Sequence, residues 1–220
     1  MTAQNLISQS ILPLKPTDTG LVAMDLLGEY HLRHLPVVQG DQLLGLISED
    51  DLLEFDLGQT LDTFPMQFSR PSVSAHNHLY EILRLMADFR LTSIPVVSKE
   101  DRYLGLITQE DLISKLGNMG SFTLPGSIIV LKMHRRDYSL ARISSIIEQE
   151  NAAVISTFIT SDLQSNQAEV TLKVNKKDIS RIVASLERFD FNVKASFHES
   201  EFINESIKER YESLMMYLNV

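Results

Sequence analysis

The chain contains no cysteine. Disulfides, thiol nucleophiles and thiolate metal sites are therefore excluded, and a reducing, cytoplasmic setting is expected. No apolar run approaches the roughly 18 residues that a membrane-spanning helix needs. The opening stretch "MTAQNLISQSILPLKP" has no basic segment followed by a long apolar run, so no secretory signal is expected. The P-loop, Gly-x-Ser-x-Gly and His-Glu-x-x-His signatures are all missing, and no catalytic activity is expected. "HRRD" at His134 has neither the Gly-rich loop nor the Asp-Phe-Gly that a kinase needs beside it. Metal ligands are sparse: His76 with His78 and His31 with His34 form pairs without a third partner nearby, so no metal is expected. Positive charge is also short. A net charge of −9 argues against broad nucleic-acid binding and against anionic membrane surfaces, while leaving room for a local basic pocket for one phosphate. "KMHRR" reads as a solvated strand end.

What is present is a soluble-type composition, 44% hydrophobic and 22% charged over 220 residues. That length accommodates one large domain or two to three small ones. The first half repeats itself. "GLISEDDL" at Gly45 to Leu52 returns as "GLITQEDL" at Gly105 to Leu112, and "LRHLPVV" at Leu32 to Val38 returns as "LTSIPVV" at Leu91 to Val97. Pro36 and Pro95 are 59 residues apart and Gly45 and Gly105 are 60 apart, so one inserted turn residue separates the copies. Leu14 and Val73, also 59 apart, each open an extended segment before a helix. Val22, Ala23, Leu26 and Leu27 in one copy, and Leu79, Ile82, Leu83 and Met86 in the other, fall at helical spacing. Each unit therefore reads β-α-β-β-α. Each is too small to bury both faces of its own sheet, so the copies are expected to pack as a pseudo-twofold pair. Residues 56–70 read as the link.

The repeated phrase carries Ser48 with Asp51 and Thr108 with Asp111 at a strand-to-helix turn. A hydroxyl at the N-cap and an acid three residues on is capping-box spacing, which satisfies helix amides. The same atoms suit a ligand. Free helix amides and the hydroxyl can meet a phosphate, and an ionised Asp, which only accepts hydrogen bonds, can take both hydroxyls of a ribose. Ile47 or Ile107 on the preceding strand could face an adenine ring. A cap at the rim of a cleft can do both jobs.

Taken together, the repeat, the PVV strand and the Gly-h-h-Ser/Thr-x-x-Asp turn resemble a CBS-domain pair, the Bateman module, over residues 7–116. The resemblance implies regulatory binding of an adenosine-type ligand (AMP, ADP, ATP, S-adenosylmethionine or a dinucleotide) in clefts between the units, with no cofactor required. Ser48 and Asp51 match the ribose and phosphate position of the first unit, and Thr108 and Asp111 that of the second. The family's basic residue before the strand proline corresponds to Arg33 and His34 in the first unit, where the second has Thr92 and Ser93. A phosphorylated ligand is therefore expected at the cleft reached by Arg33 and His34. Leu14, Val73, Ile47, Ile107 and Ser93 complete the expected nucleotide-binding set.

"KLGNMGSFTLPGS" at Lys115 to Ser127 reads as a boundary. Beyond it the pattern is β-α-β-β-α-β, a ferredoxin-like arrangement, with Val170, Leu172 and Val174 alternating on one strand. Behind such a pair, this resembles an ACT domain over Gly126 to Phe197. Its turn "HRRDYSL" lacks the family's glycine, which favours dimerisation over amino-acid binding. The tail shows an apolar stripe of Phe202, Ile203, Ile207, Tyr211, Leu214, Met215 and Leu218. It reads as a helix packed on its own domain or docked on a partner subunit. The expected organisation is an α/β (α+β) chain: tandem CBS domains at 1–58 and 59–118, an ACT-like domain at 119–198, and a C-terminal helix at 199–220. The order is similar to the bacterial acetoin-utilisation protein family. That likeness implies a regulatory protein, a homodimer through its CBS or ACT-like domains, with a regulated protein partner. A ligand-free dimerisation scaffold is the alternative.

Overall fold

A computed structural model describes residues 1–8, 10–63, 71–161, 166–199 and 213–214. The chain divides into two compact units, Met1–Gly117 and Asn118–Val220. Most of the expected C-terminal helix, and the second half of the expected link, lie outside the described residues.

In unit 1, Thr19 caps α1 (Gly20–Glu29) by accepting the Val22 N–H at 3.4 Å. α1 buries Ala23 and Leu27, whereas Val22 faces outward. β1 (His34–Gln39) pairs antiparallel with β2 (Gln42–Ser48), which runs into α2 (Glu49–Leu53). The second copy consists of β3 (Val73–Ser74), α3 (Leu79–Asp88), β4 (Ser93–Val97), β5 (Tyr103–Thr108) and α4 (Gln109–Gly117). The two hairpins share one register. His34 faces Ser48 and Pro36 faces Leu46; Ser93 faces Thr108 and Pro95 faces Leu106. Both carry a bulge at the same step, Val37/Val38 and Val96/Val97.

One element is shorter than its sequence suggests. The opening strand of the first copy is a single parallel bridge from Leu14 to Val37, with Leu14 N–H on Pro36 O at 2.9 Å. Pro13 and Pro16 flank it, and proline has no N–H to extend a ladder. Leu14 still anchors the core with Leu27, Leu35, Ile47, Leu52 and Leu61.

The lead-in of each copy packs on the other copy. Ala3 N–H donates to Asn77 O at 3.0 Å and Gln4 N–H to Ala75 O at 3.0 Å. Correspondingly, Leu61 N–H donates to Asp18 O at 2.8 Å and Asp62 N–H to Pro16 O at 2.9 Å. Ala3 and Leu61 are both fully buried. Residues 1–8, grouped by sequence order with the first copy, thus serve the second. Ser8 N–H reaches Leu106 O at 2.8 Å. Gly105 makes room for this passage: its φ is +150°, and a Cβ there would lie 2.4 Å from Ile7 Cγ2.

Unit 2 opens with a short helix α5 (Gly120–Thr123), followed by β6 (Ser127–His134), α6 (Leu140–Gln149), β7 (Val154–Ser161), β8 (Gln167–Val174), α7 (Ser180–Arg188) and β9 (Asn192–Phe197). The antiparallel sheet has the order β7-β8-β6-β9. Counted from the first strand of the unit this is 2-3-1-4, the ferredoxin-like order. The inward residues of β8, among them Val170, Leu172 and Val174, pack with Ile129, Leu131, Ile143, Ile147, Ile182 and Leu186. The turn after β6 is a 3-10 segment, Arg135–Asp137.

Candidate functional site

Both repeated turns fold as capping boxes. At the first, Ser48 Oγ accepts the Asp51 N–H at 3.1 Å, while Asp51 Oδ2 accepts the Ser48 N–H at 2.8 Å and its hydroxyl at 2.6 Å. At the second, Thr108 Oγ1 accepts the Asp111 N–H at 3.0 Å, and Asp111 Oδ2 accepts the Thr108 N–H at 3.3 Å and its hydroxyl at 2.7 Å. The first amide of each helix is held the same way: Glu49 N–H on Arg33 O at 2.9 Å and Gln109 N–H on Thr92 O at 3.0 Å. In each box one carboxylate oxygen takes both donors, and the other plays no part in the cap.

The copies meet between these turns. Thr92 Oγ1 accepts the Arg33 N–H at 2.9 Å, Thr92 N–H donates to His34 Nδ1 at 3.2 Å, and Ser93 Oγ donates to His34 O at 2.7 Å. Accepting at Nδ1 places the ring proton of neutral His34 on Nε2. Burial lowers the His34 pKa below its ordinary value of 6.5, and the neighbouring Arg33 charge pushes the same way against Asp51 and Asp50.

A cleft of about 480 Å³ opens at the second turn. Thr108, Gln109, Glu110 and Asp111 form its floor, with Thr92 and Ile113 beside them. The lining also includes Ser8, which is bonded to Leu106 of the second copy, then Ser10 and Ile11, and Tyr30, His31 and Leu32 after α1 of the first copy. The same positions shifted by the repeat, on the other side of the pseudo-twofold, are Phe89, Arg90 and Leu91, then Arg33, Ser48 to Asp51, and Leu53. His31 and Arg90 even share a φ of +52°. The shifted counterpart of the lead-in wall falls at residues 67–70, outside the described set.

Thus the structure brings Thr108 and Asp111 to a cleft, and sets Ser48 and Asp51 in the matching turn. Arg33 turns its guanidinium to Glu49 at 3.4 Å and Asp50 at 3.1 Å; Arg33 and Asp50 are exposed and Glu49 is half-buried. The remaining side chains of the expected set are placed otherwise. Ile47, Ile107, Leu14 and Val73 are sealed in the core rather than turned to a ring. Ser93 is fully buried, its hydroxyl committed to His34. The reason is that β1, β2, β4 and β5 are covered on both faces, so few of their side chains reach a cleft. The cleft residues that the sequence left unmarked, Ser8, Ser10, Ile11, Tyr30 and Leu32, come from the amino-terminal lead-in and from the segment after α1. The repeat offset applied to the segment after each first helix would have picked out Tyr30 to Leu32.

The CBS-domain family profile matches residues 3–58 and 66–118. The chain carries a CBS-domain pair. Among curated relatives, the pair is similar to the inosine-5'-monophosphate dehydrogenase of Korarchaeum cryptofilum, 26% identical over 110 residues. That match covers 50% of this chain and 23% of the enzyme, so the chain spans under a quarter of that relative's length. Among solved structures, CBSX2 in complex with AMP is 23% identical and covers 52% of this chain and 95% of its own, with a TM-score of 0.46. A CBS-pair/ACT-domain protein from Thermotoga maritima is 19% identical, covering 53% and 96%, with a TM-score of 0.47. The acetoin utilization protein AcuB from Vibrio cholerae is 25% identical, covering 54% and 91%, with a TM-score of 0.46. No helix among the described residues is long and apolar enough to cross a membrane.

Proposed function

We propose that the protein is a non-catalytic regulator that senses an adenosine-type ligand, AMP, ADP, ATP or S-adenosylmethionine, through its CBS pair. The observation that carries this reading is the pair of superposable hydroxyl-x-x-Asp turns, one of which opens on a cleft of about 480 Å³. In that cleft the carboxylate oxygen of Asp111 not used by the cap would accept ribose hydroxyls, and Ile11, Leu32 and Ile113 would flank the base. Ligand would bridge Tyr30 to Leu32 of the first copy and the turn of the second, so its binding energy would act on how the copies sit together. Unit 2 is read as an ACT-like module at 126–197 that relays the signal or dimerises. A cytoplasmic homodimer acting on a protein partner, in the manner suggested by the acetoin-utilisation likeness, completes the reading. Exposed apolar side chains on the helices of the pair, Leu21, Leu53, Tyr80 and Ile113, support self-association.

The scaffold reading draws on one specific fact: both caps are internally complete without any ligand. A thermal-shift screen against AMP, ADP, ATP, S-adenosylmethionine, NAD(H) and amino acids separates the two. A ligand held only by the native state at about 100 times its Kd adds about 2.7 kcal/mol of stability. The expected result is a shift with an adenosine compound that disappears in the Asp51→Ala/Asp111→Ala double variant. Absence of any shift, with strong concentration-dependent dimerisation, favours the scaffold.

A further inference from the structure

Resting on the sensor reading, we propose that the cleft at Thr108 to Asp111 selects an adenosine derivative without a phosphate chain, best matched by a cationic sulfonium nucleoside such as S-adenosylmethionine. The argument is one of charge. Among the described residues that line the cleft there are two carboxylates, Glu110 and Asp111, and no lysine or arginine. His31 is the lone base. Arg33, the cation that the sequence would assign to a phosphate, belongs to the other turn and is engaged by Glu49 and Asp50. The helix start offers little in compensation. Gln109 N–H is committed to Thr92 O and Asp111 N–H to Thr108 Oγ1. Two of the first three amides of α4, the groups that ordinarily cradle phosphate, are therefore occupied.

The polar atoms that remain are suited to a neutral or positive ligand. Ser8, Ser10 and Tyr30 supply hydroxyls that donate and accept, the first two bonded to each other at 3.1 Å. Glu110 is exposed at the rim, where its charge attracts a sulfonium or ammonium group and repels a triphosphate.

Isothermal titration of the full chain with S-adenosylmethionine, adenosine, AMP and ATP at low and high salt tests this. A signal is assigned to this cleft when Asp111→Asn, which keeps a cap acceptor, abolishes it and Asp51→Asn does not. The expected order is S-adenosylmethionine, then adenosine, then AMP, then ATP, with the first at least about tenfold tighter than the last, a gap of about 1.4 kcal/mol. Added salt weakens S-adenosylmethionine and strengthens ATP, because screening removes attraction in one case and repulsion in the other. Glu110→Lys, at an exposed position that leaves folding intact, narrows or reverses the order. ATP or AMP binding this cleft as tightly as S-adenosylmethionine overturns the selectivity and leaves the sensor reading standing. Failure of every adenosine compound to bind removes the sensor reading, and this inference with it.

Discussion

The two copies of the CBS repeat share a backbone and differ in electrostatics. Their hairpin registers, bulges and capping boxes coincide position by position. Yet the first turn reads Glu49, Asp50, Asp51 with Arg33 laid across it, whereas the second reads Gln109, Glu110, Asp111 with Thr92 in the place of Arg33. Ser48 is half-buried, whereas Thr108 is buried. The lesson is that the fold conserves the geometry of the turn, and the same formal charge of −2 across these four positions, while the residue before β1 or β4 decides whether a cation stands beside the carboxylates. A duplicated scaffold can in this way hold two unlike clefts without moving a strand.

The comparison can be broken most severely at Gly105. Gly105→Ala forces a Cβ into Ile7 at a φ of +150° and should expel the lead-in from the second copy. Chemical denaturation should register a loss of about 2–4 kcal/mol. Next comes the seam between copies. Thr92→Val removes the acceptor of the Arg33 N–H and the hydroxyl beside His34 Nδ1, while the Thr92 N–H stays. A loss of about 1 kcal/mol is expected, the ordinary net contribution of one hydrogen bond, because the exposed Arg33 amide loses its partner. The caps test equivalence directly. Asp51→Ala and Asp111→Ala should each cost about 1 kcal/mol of thermal stability, since each removes the same two accepted bonds. A gap well beyond that between them would show that the turns are not energetic equals.

The smallest effect concerns pH. The His34 pKa is depressed in the folded chain, so on acidification the unfolded chain takes up this proton first. Stability should be flat above the ordinary value of 6.5 and decline as pH falls through it. The decline should be shallower in His34→Gln when Tm is followed across that window. The second copy has Ser93 at the matching position and contributes no such slope.

Much of this architecture was legible in the chain. The offsets of 59 and 60 residues announced the repeat, and the hydroxyl-x-x-Asp spacing announced both caps, because these are local hydrogen-bond patterns. The alternation of Val170, Leu172 and Val174 marked β8, since an antiparallel strand with one buried face has period two. What escaped was set by distant partners. Ser8, Ser10 and Ile11 carry no periodicity, and their place in the cleft depends on Leu106, nearly a hundred residues on. The sealing of Ile47 and Ile107 depends on cover for both sheet faces, which a single strand does not reveal. The loss of a full opening strand around Leu14 could have been read from its flanking prolines.

The exchanged lead-ins impose an order on synthesis. A nascent chain emerges amino end first. The amides of Ala3, Gln4 and Ser8 must remain solvated until Ala75, Asn77 and Leu106 have left the ribosome. The second copy therefore waits on the amino end for its completion, whereas the first is closed by Leu61 and Asp62, which follow it directly. Each copy guards an end of the other, and an interruption in the chain between them would disarm both.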